Sequence, residues 1–172
     1  ATHIFTEDLS CRNFINSDFA VLNQVVAAHY GIEGVHGAHF RPVPIAPEQH
    51  RGGVLTHGSV SIIGSDGTDS NPIYRGVWLR KRLFADPPPP PPPGAPPLDK
   101  STPELSSLTL KEQIELHREG PACARCHDRI DPWGVAFENY DATGRWRTTL
   151  PKSSKGEAVV IDATSTLPDG TT

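Results

Sequence analysis

The sequence predicts a mainly α chain in three parts. These are a helical N-terminal segment over residues 1–84, a proline-rich strap over 85–103 and a small, loop-rich helical domain over 104–172. Three observations lead there. Apolar residues recur at helical spacing in most patterned stretches. Helix start and stop signals stand at the ends of those stretches. Between them runs Pro87–Pro93, a tract that admits neither helix nor sheet. With 36% hydrophobic residues, 18 Pro and 15 Gly in 172 residues, the core is expected to be thin for the chain length.

In the first part, Ser17-Asp18 offers an N-cap, and Phe19, Leu22, Val25, Val26 and His29 follow as a helical stripe closed by Gly31 at C′. Residues 31–50 read as loop, with His29, His36, His39 and His50 in or beside it. The apolar run Val54–Ile63 contains Gly58 and is compatible with helix or strand. A third element starts cleanly: Asn71 caps, Pro72 takes N1, and Ile73, Val77 and Phe84 line one side.

The proline tract favours polyproline II, at about 3.1 Å per residue, so seven prolines make a strut of roughly 22 Å. A semi-rigid spacer or strap is the favoured reading over an SH3-type ligand. In the third part Thr109 and Glu112 form a capping box, and Leu110, Ile114 and His117 fall on one helical stripe. Gly120 ends that helix, and Pro121 can serve as N1 of a short helix that follows. Asp131-Pro132-Trp133-Gly134 reads as a turn, Val135–Tyr140 as a further helical turn, and Ala158–Ile161 as a short strand in a polar tail. No internal repeat is visible.

The short helix carries Cys123-Ala-Arg-Cys126-His127, a CxxCH pentad. It is the attachment signature of c-type haem. Two thiols three positions apart can reach the two vinyl groups on one edge of a porphyrin, and the adjacent imidazole can ligate the iron. With 3 Cys and 8 His in the chain, the pentad arises by chance roughly two times in a thousand. Three alternatives compete: zinc, a redox CxxC pair and a structural pair. Zinc needs two more ligands, and neither a second CxxC nor an HxxxH is present. A thioredoxin-like pair needs a βαβ setting, whereas Gly120-Pro121 precedes this one. The cofactor expected is therefore haem c with its iron. Cys123 and Cys126 would tether it, with His127 as proximal ligand, which makes the third part a small cytochrome c-like haem domain.

The chain contains no Met, so His/Met ligation is excluded unless another chain donates one. For the sixth iron position His117 is the first candidate and His57 the second, with a loop histidine, another residue or an open site remaining. Trp133, Phe137, Tyr140 and Trp146 are candidate pocket walls, each adding about 1.5–3 kcal/mol when well buried. Arg118, Arg145 and Arg147 could pair with propionates or stand in solvent. For Asp131 and Glu138, turn and helix-surface roles outweigh an acid/base role. The third cysteine, Cys11, is expected to be a buried small hydrophobe or else a site of intermolecular pairing.

Several stretches together resemble a known group. They are Arg51-Gly-Gly-Val-Leu, Pro72-Ile-Tyr-Arg-Gly-Val-Trp, the proline run, Glu115-Leu-His-Arg before the pentad, and Asp131-Pro-Trp-Gly-Val-Ala-Phe-Glu-Asn-Tyr-Asp-Ala-Thr-Gly-Arg-Trp-Arg. This order is similar to the planctomycete-type cytochrome c domains at the C-terminal end of large exported bacterial proteins. Ser17-Asp-Phe-Ala-Val-Leu-Asn with His29-Tyr-Gly resembles the domain that precedes the haem domain there. The resemblance implies a c-type haem and an electron-transfer role, and it assigns no redox partner.

The formal charge of −4, without a basic stripe, excludes nucleic acid as the expected partner. No run of 18 apolar residues suggests a membrane span. The pentad implies a periplasmic or extracellular place in a bacterium, because haem is attached to it outside the cytoplasm. A chain that opens at Ala1 with neither Met nor signal peptide reads as a processed piece of something longer. The expected function is a mono-haem electron carrier serving a redox partner protein or other chains of a larger assembly. The alternative is a five-coordinate haem enzyme or sensor acting on peroxide, oxygen or another small ligand. A haem that merely staples a thin fold is a third reading.

Overall fold

The computed structural model of the chain describes residues 1–65, 67, 69–94, 108–118, 120–150 and 158–172. It is mostly helical and divides into two compact units. One comprises Ala1–Asp69 with Tyr140–Trp146, the other Ser70–Asn139 with Arg147–Thr172.

The first unit is built from short elements. Strand β1 (Phe19–Leu22) pairs antiparallel with β2 (Arg41–Pro44), Phe19 opposite Pro44 and Leu22 opposite Arg41. The helix expected to begin at Ser17-Asp18 therefore begins later, as α2 (Gln24–His29), after α1 (Thr2–Thr6). The reason is the cap. Asn23 accepts from the Val26 N–H at 3.0 Å, leaving Phe19 and Leu22 to the strand. A four-residue strand and one helical turn share the same short apolar signature. Gly31 does close α2, at φ +71°, with Gly31 N–H bonded to Ala28 O and Ile32 N–H to Ala27 O, a Schellman ending.

Leu22, Ala27, Ile32, Val35 and Ile45 form the core of this unit. The run Val54–Ile63 resolves as helical, a 3₁₀ turn over Val54–Thr56 followed by α3 (Gly58–Ser61). Cys11, expected to be buried, is exposed. It opens the 3₁₀ turn Cys11–Phe14, which Ser10 caps and which contains no buried residue. Tyr140 donates to the His50 carbonyl, and Trp146 stacks on the His50 ring at 3.9 Å between centroids.

The second unit is organised by two packed helices, α4 (Pro72–Arg82) and α6 (Pro121–Val135). Asn71 caps α4 by accepting from Tyr74 N–H at 3.1 Å, with Pro72 at N1. The two helices approach backbone to backbone. A Cβ on Gly76 would overlap the Ile130 carbonyl, and one on Gly134 the Pro72 carbonyl. Between them in sequence, α5 (Leu110–His117) begins with the expected capping box, Glu112 N–H on Thr109 Oγ1 at 3.2 Å and Thr109 N–H on Glu112 Oε2 at 2.7 Å.

The turn expected at Asp131–Gly134 is instead the last turn of α6, which runs through Pro132. An internal proline forfeits one backbone bond and crowds the preceding turn. Here the helix is held on both sides of it, by the Asp131 side chain bonded back to His127 and by the Gly134 contact. Residues 136–139, expected to be helical, form tight turns with bonds three residues back, Phe137 N–H to Gly134 O and Glu138 N–H to Val135 O. Strand β3 (Thr149–Leu150) pairs with β4 (Val159–Val160), inside the expected strand. Residues 85–94 of the predicted strap carry neither helix nor strand, and the rest of it, 95–103, lies outside the described residues.

Candidate functional site

The pentad sits on the first turns of α6, so both thiols and the histidine belong to one rigid element. At about 100° per residue, Cys123 and His127 fall about 40° apart around the helix, and Cys126 lies on the same side. Cys123 and Cys126 are half-buried free thiols.

The ring of His127 is oriented by its own helix. Asp131, one turn on, is buried, and both of its carboxylate oxygens lie 3.0 Å from His127 Nδ1. A carboxylate can only accept, so Nδ1 carries a proton, and in the neutral ring Nε2 is the nitrogen with the lone pair. That hydrogen bond raises the His127 pKa above its ordinary value, and half-burial of the ring opposes the shift. Seen from the sequence, Asp131 was a turn residue. It is instead the partner that fixes the tautomer, and its i, i+4 spacing from His127 was the available signal.

His117, the last residue of α5, brings its ring to 5.5 Å from that of His127, at 73°. Thus the structure brings the first sixth-ligand candidate next to the proximal one. Leu116 beside it is an apolar side chain left 46% exposed. Arg118 pairs with Asp128 at 3.1 Å. Lys111, Ile114, Arg118, Asp131, Val135 and Ser165 line a cleft of about 430 Å³. Among the described residues no group of three or more His, Cys, Asp or Glu could hold a bare metal ion. A haem iron asks for less, since the porphyrin supplies four ligands and the protein only the axial ones.

The other predicted residues are placed as follows. Trp133 packs edge-on against Phe84, with centroids 4.6 Å apart, and the Phe137 carbonyl accepts from Arg75 at 2.6 Å. Tyr140, Arg145 and Trp146 belong to the first unit, where Arg145 is exposed. His57 also belongs there, with Nδ1 3.0 Å from Ser59 Oγ. Arg147 and Glu138 are neither free nor superficial. Glu138 is buried, accepts from Ser70 Oγ at 2.8 Å, and lies 3.7 Å from Arg75 and 3.5 Å from Arg147. Its surface role is thereby corrected: the turn after α6 carries the side chain inward, onto two arginines.

The donor set fits a covalently attached haem. It has two uncrosslinked thiols at the right spacing, a histidine with Nε2 presented, and a second imidazole beside it on another helix. Residues 51–150 match the family described as PSCyt3, protein of unknown function (DUF1588), a planctomycete cytochrome c-type family. No curated protein and no solved structure matches the chain.

Proposed function

The chain belongs to the PSCyt3 family, and we propose that it is a mono-haem c-type cytochrome module that transfers electrons. Cys123 and Cys126 tether the haem, His127 is its proximal ligand and His117 its distal one. When bound, the haem supplies a one-electron iron couple. The residues do the rest. Asp131 keeps the proton on His127 Nδ1 and raises the donor strength of Nε2. His117 would be the second iron ligand, from α5, while Leu116, Trp133 and Phe137 would supply apolar and aromatic surface for the macrocycle. Two imidazoles in place of His/Met set a low potential, as does the carboxylate behind one of them. A bacterial, periplasmic or extracellular place and a protein redox partner go with this reading. Among the described residues no helix is long and apolar enough to cross a membrane.

One observation carries the proposal: the His127 ring, already fixed by Asp131, faces the His117 ring at 5.5 Å beside two free thiols. The test uses protein from a host that exports and matures cytochromes c. Intact mass is expected to show one haem joined through two thioethers, and the ferric spectrum is expected to be low-spin and slow to bind cyanide. His117→Ala is expected to turn the spectrum high-spin, and added imidazole to restore it. Haem-free protein with zinc on the thiols would overturn the reading. Rapid cyanide binding by the unmodified protein would move it to an open-site enzyme or sensor.

A further inference from the structure

The first unit contains a cavity of about 300 Å³ that has no part in the haem reading. Its apolar wall comes from Ile4, Phe14, Phe19 and Leu22, and its polar end from Arg51 and His57. No Asp or Glu is among its lining residues. A cavity at the small end of the ligand-pocket range, apolar with a few convergent polar groups, suits a small molecule.

Arg51 determines what kind. Its guanidinium lies over the Tyr30 ring, 3.5 Å from the centroid. Nη1 donates to the Thr56 carbonyl at 2.7 Å and Nη2 to the Gly144 carbonyl. Carbonyls and a ring face orient the cation, and the Asp141 carboxylate that acts on it electrostatically is not among the residues lining the cavity. The Arg51 Nε is buried with no hydrogen-bond partner among the described residues, and a buried donor left unmade is costly. The backbone is committed to this arrangement as well. Gly53, at φ +72°, runs so close to the chain that an added Cβ would be 2.6 Å from the Ile15 carbonyl carbon. His57 Nδ1 is taken by Ser59, and its Nε2 makes no hydrogen bond among the described residues. An oriented cation at one end of an apolar cavity with no carboxylate in its lining calls for an anion with an apolar body.

We propose that this cavity is a binding site for a small aliphatic carboxylate, its charge on Arg51 and His57 and its chain against Phe14, Phe19 and Leu22. The inference does not depend on haem. Calorimetric titration of the full chain compares three probes. Hexanoate carries both features, hexanamide lacks the charge and acetate lacks the apolar body. Hexanoate is expected to bind at least tenfold more tightly than either. NMR shift changes are expected to concentrate on His57, Arg51 and Phe19.

Arg51→Gln is expected to weaken hexanoate at least tenfold, and His57→Gln about threefold. Because Arg51 holds two carbonyls and its loss can unfold the unit, the exposed His57 provides the variant that keeps the fold. Equal affinity for hexanoate and hexanamide, no heat with millimolar hexanoate, or shifts that avoid His57 would each overturn the proposal.

Discussion

The two units solve the problem of a thin core in opposite ways. The first closes short strands and helical turns over aliphatic side chains, Leu22, Ala27, Ile32, Val35 and Ile45. The second buries few such residues and instead brings two helix backbones together at Gly76 and Gly134, and inters charge: Arg75, Arg80, Asp131 and Glu138 are all buried. An apolar core is held by area removed from water and tolerates small shifts. Helices in backbone contact around paired charges hold one geometry or none. A redox centre needs the second kind of scaffold, because its ligands must keep their places.

The contrast breaks most sharply at Gly134. Changing it to Ala puts a methyl group into the Pro72 carbonyl, an overlap with backbone that no rotamer relieves. The expected cost is about 5 kcal/mol or more, enough to abolish the second unit in most small domains. Hydrogen exchange reads it residue by residue. Amides of Leu79 and Ile130 are expected to lose protection, while Ala27 and Ile32 keep theirs. Retained protection at Leu79 would show that the helices can separate without harm.

Glu138→Ala and Leu22→Ala sharpen the same contrast at smaller scale. Removing Glu138 leaves the buried Arg75 and the half-buried Arg147 without their shared carboxylate, at an expected cost of about 3–5 kcal/mol. Removing Leu22 side-chain atoms empties an apolar site at about 2–5 kcal/mol. The two are told apart by rescue in Glu138→Gln, which keeps volume and an acceptor for Ser70 Oγ and is expected to recover part of the loss. Urea unfolding of the three variants checks both. If Glu138→Gln were as damaged as Glu138→Ala, charge rather than satisfied hydrogen bonding would be what the unit requires.

These residues also show what the sequence could tell. The pentad, the capping box at Thr109, the cap at Asn71 and the end at Gly31 are local chemistry, written within a few consecutive residues, and all four were legible. The His117 pairing was half-legible, as a histidine on an apolar helical stripe. Asp131 and Glu138 were not. An acidic residue beside a proline signals a turn, which outweighs the i, i+4 spacing of Asp131 from His127. The Gly134–Pro72 contact that accompanies the continued helix joins residues distant in sequence, and the turn after α6 carries Glu138 inward. In the first unit the strand at Phe19–Leu22 was hidden because its partner, Arg41–Pro44, carries two prolines and reads as loop. Such prolines are tolerated in a two-stranded ribbon, where each strand has an edge that needs no donor.

The weakest expected effect lies on the surface of the second unit, where the tail docks on α5. Lys111 Nζ donates to Asp162 Oδ2 at 2.6 Å and to the Thr164 carbonyl at 2.8 Å, and Thr164 N–H donates to Asp162 Oδ1. The Lys111 bond first, and then the Thr164 donors, lower the Asp162 pKa from an ordinary 3.8 to about 2. A carboxyl whose pKa is depressed on folding adds stability that is complete above its unfolded value and is lost as pH falls through the folded one. The window therefore runs from about pH 4 down to about pH 2. Half the Asp162 side chain is exposed, so solvent screens the pair and the contribution stays below about 1 kcal/mol. Asp162→Asn is expected to flatten the pH dependence of stability within that window alone, and 1 M salt to reproduce much of the effect in the unmodified protein. An unchanged slope between pH 4 and 2 would mean that the tail is held by β3–β4 pairing and the Ser165–Pro132 bond, which carry no charge.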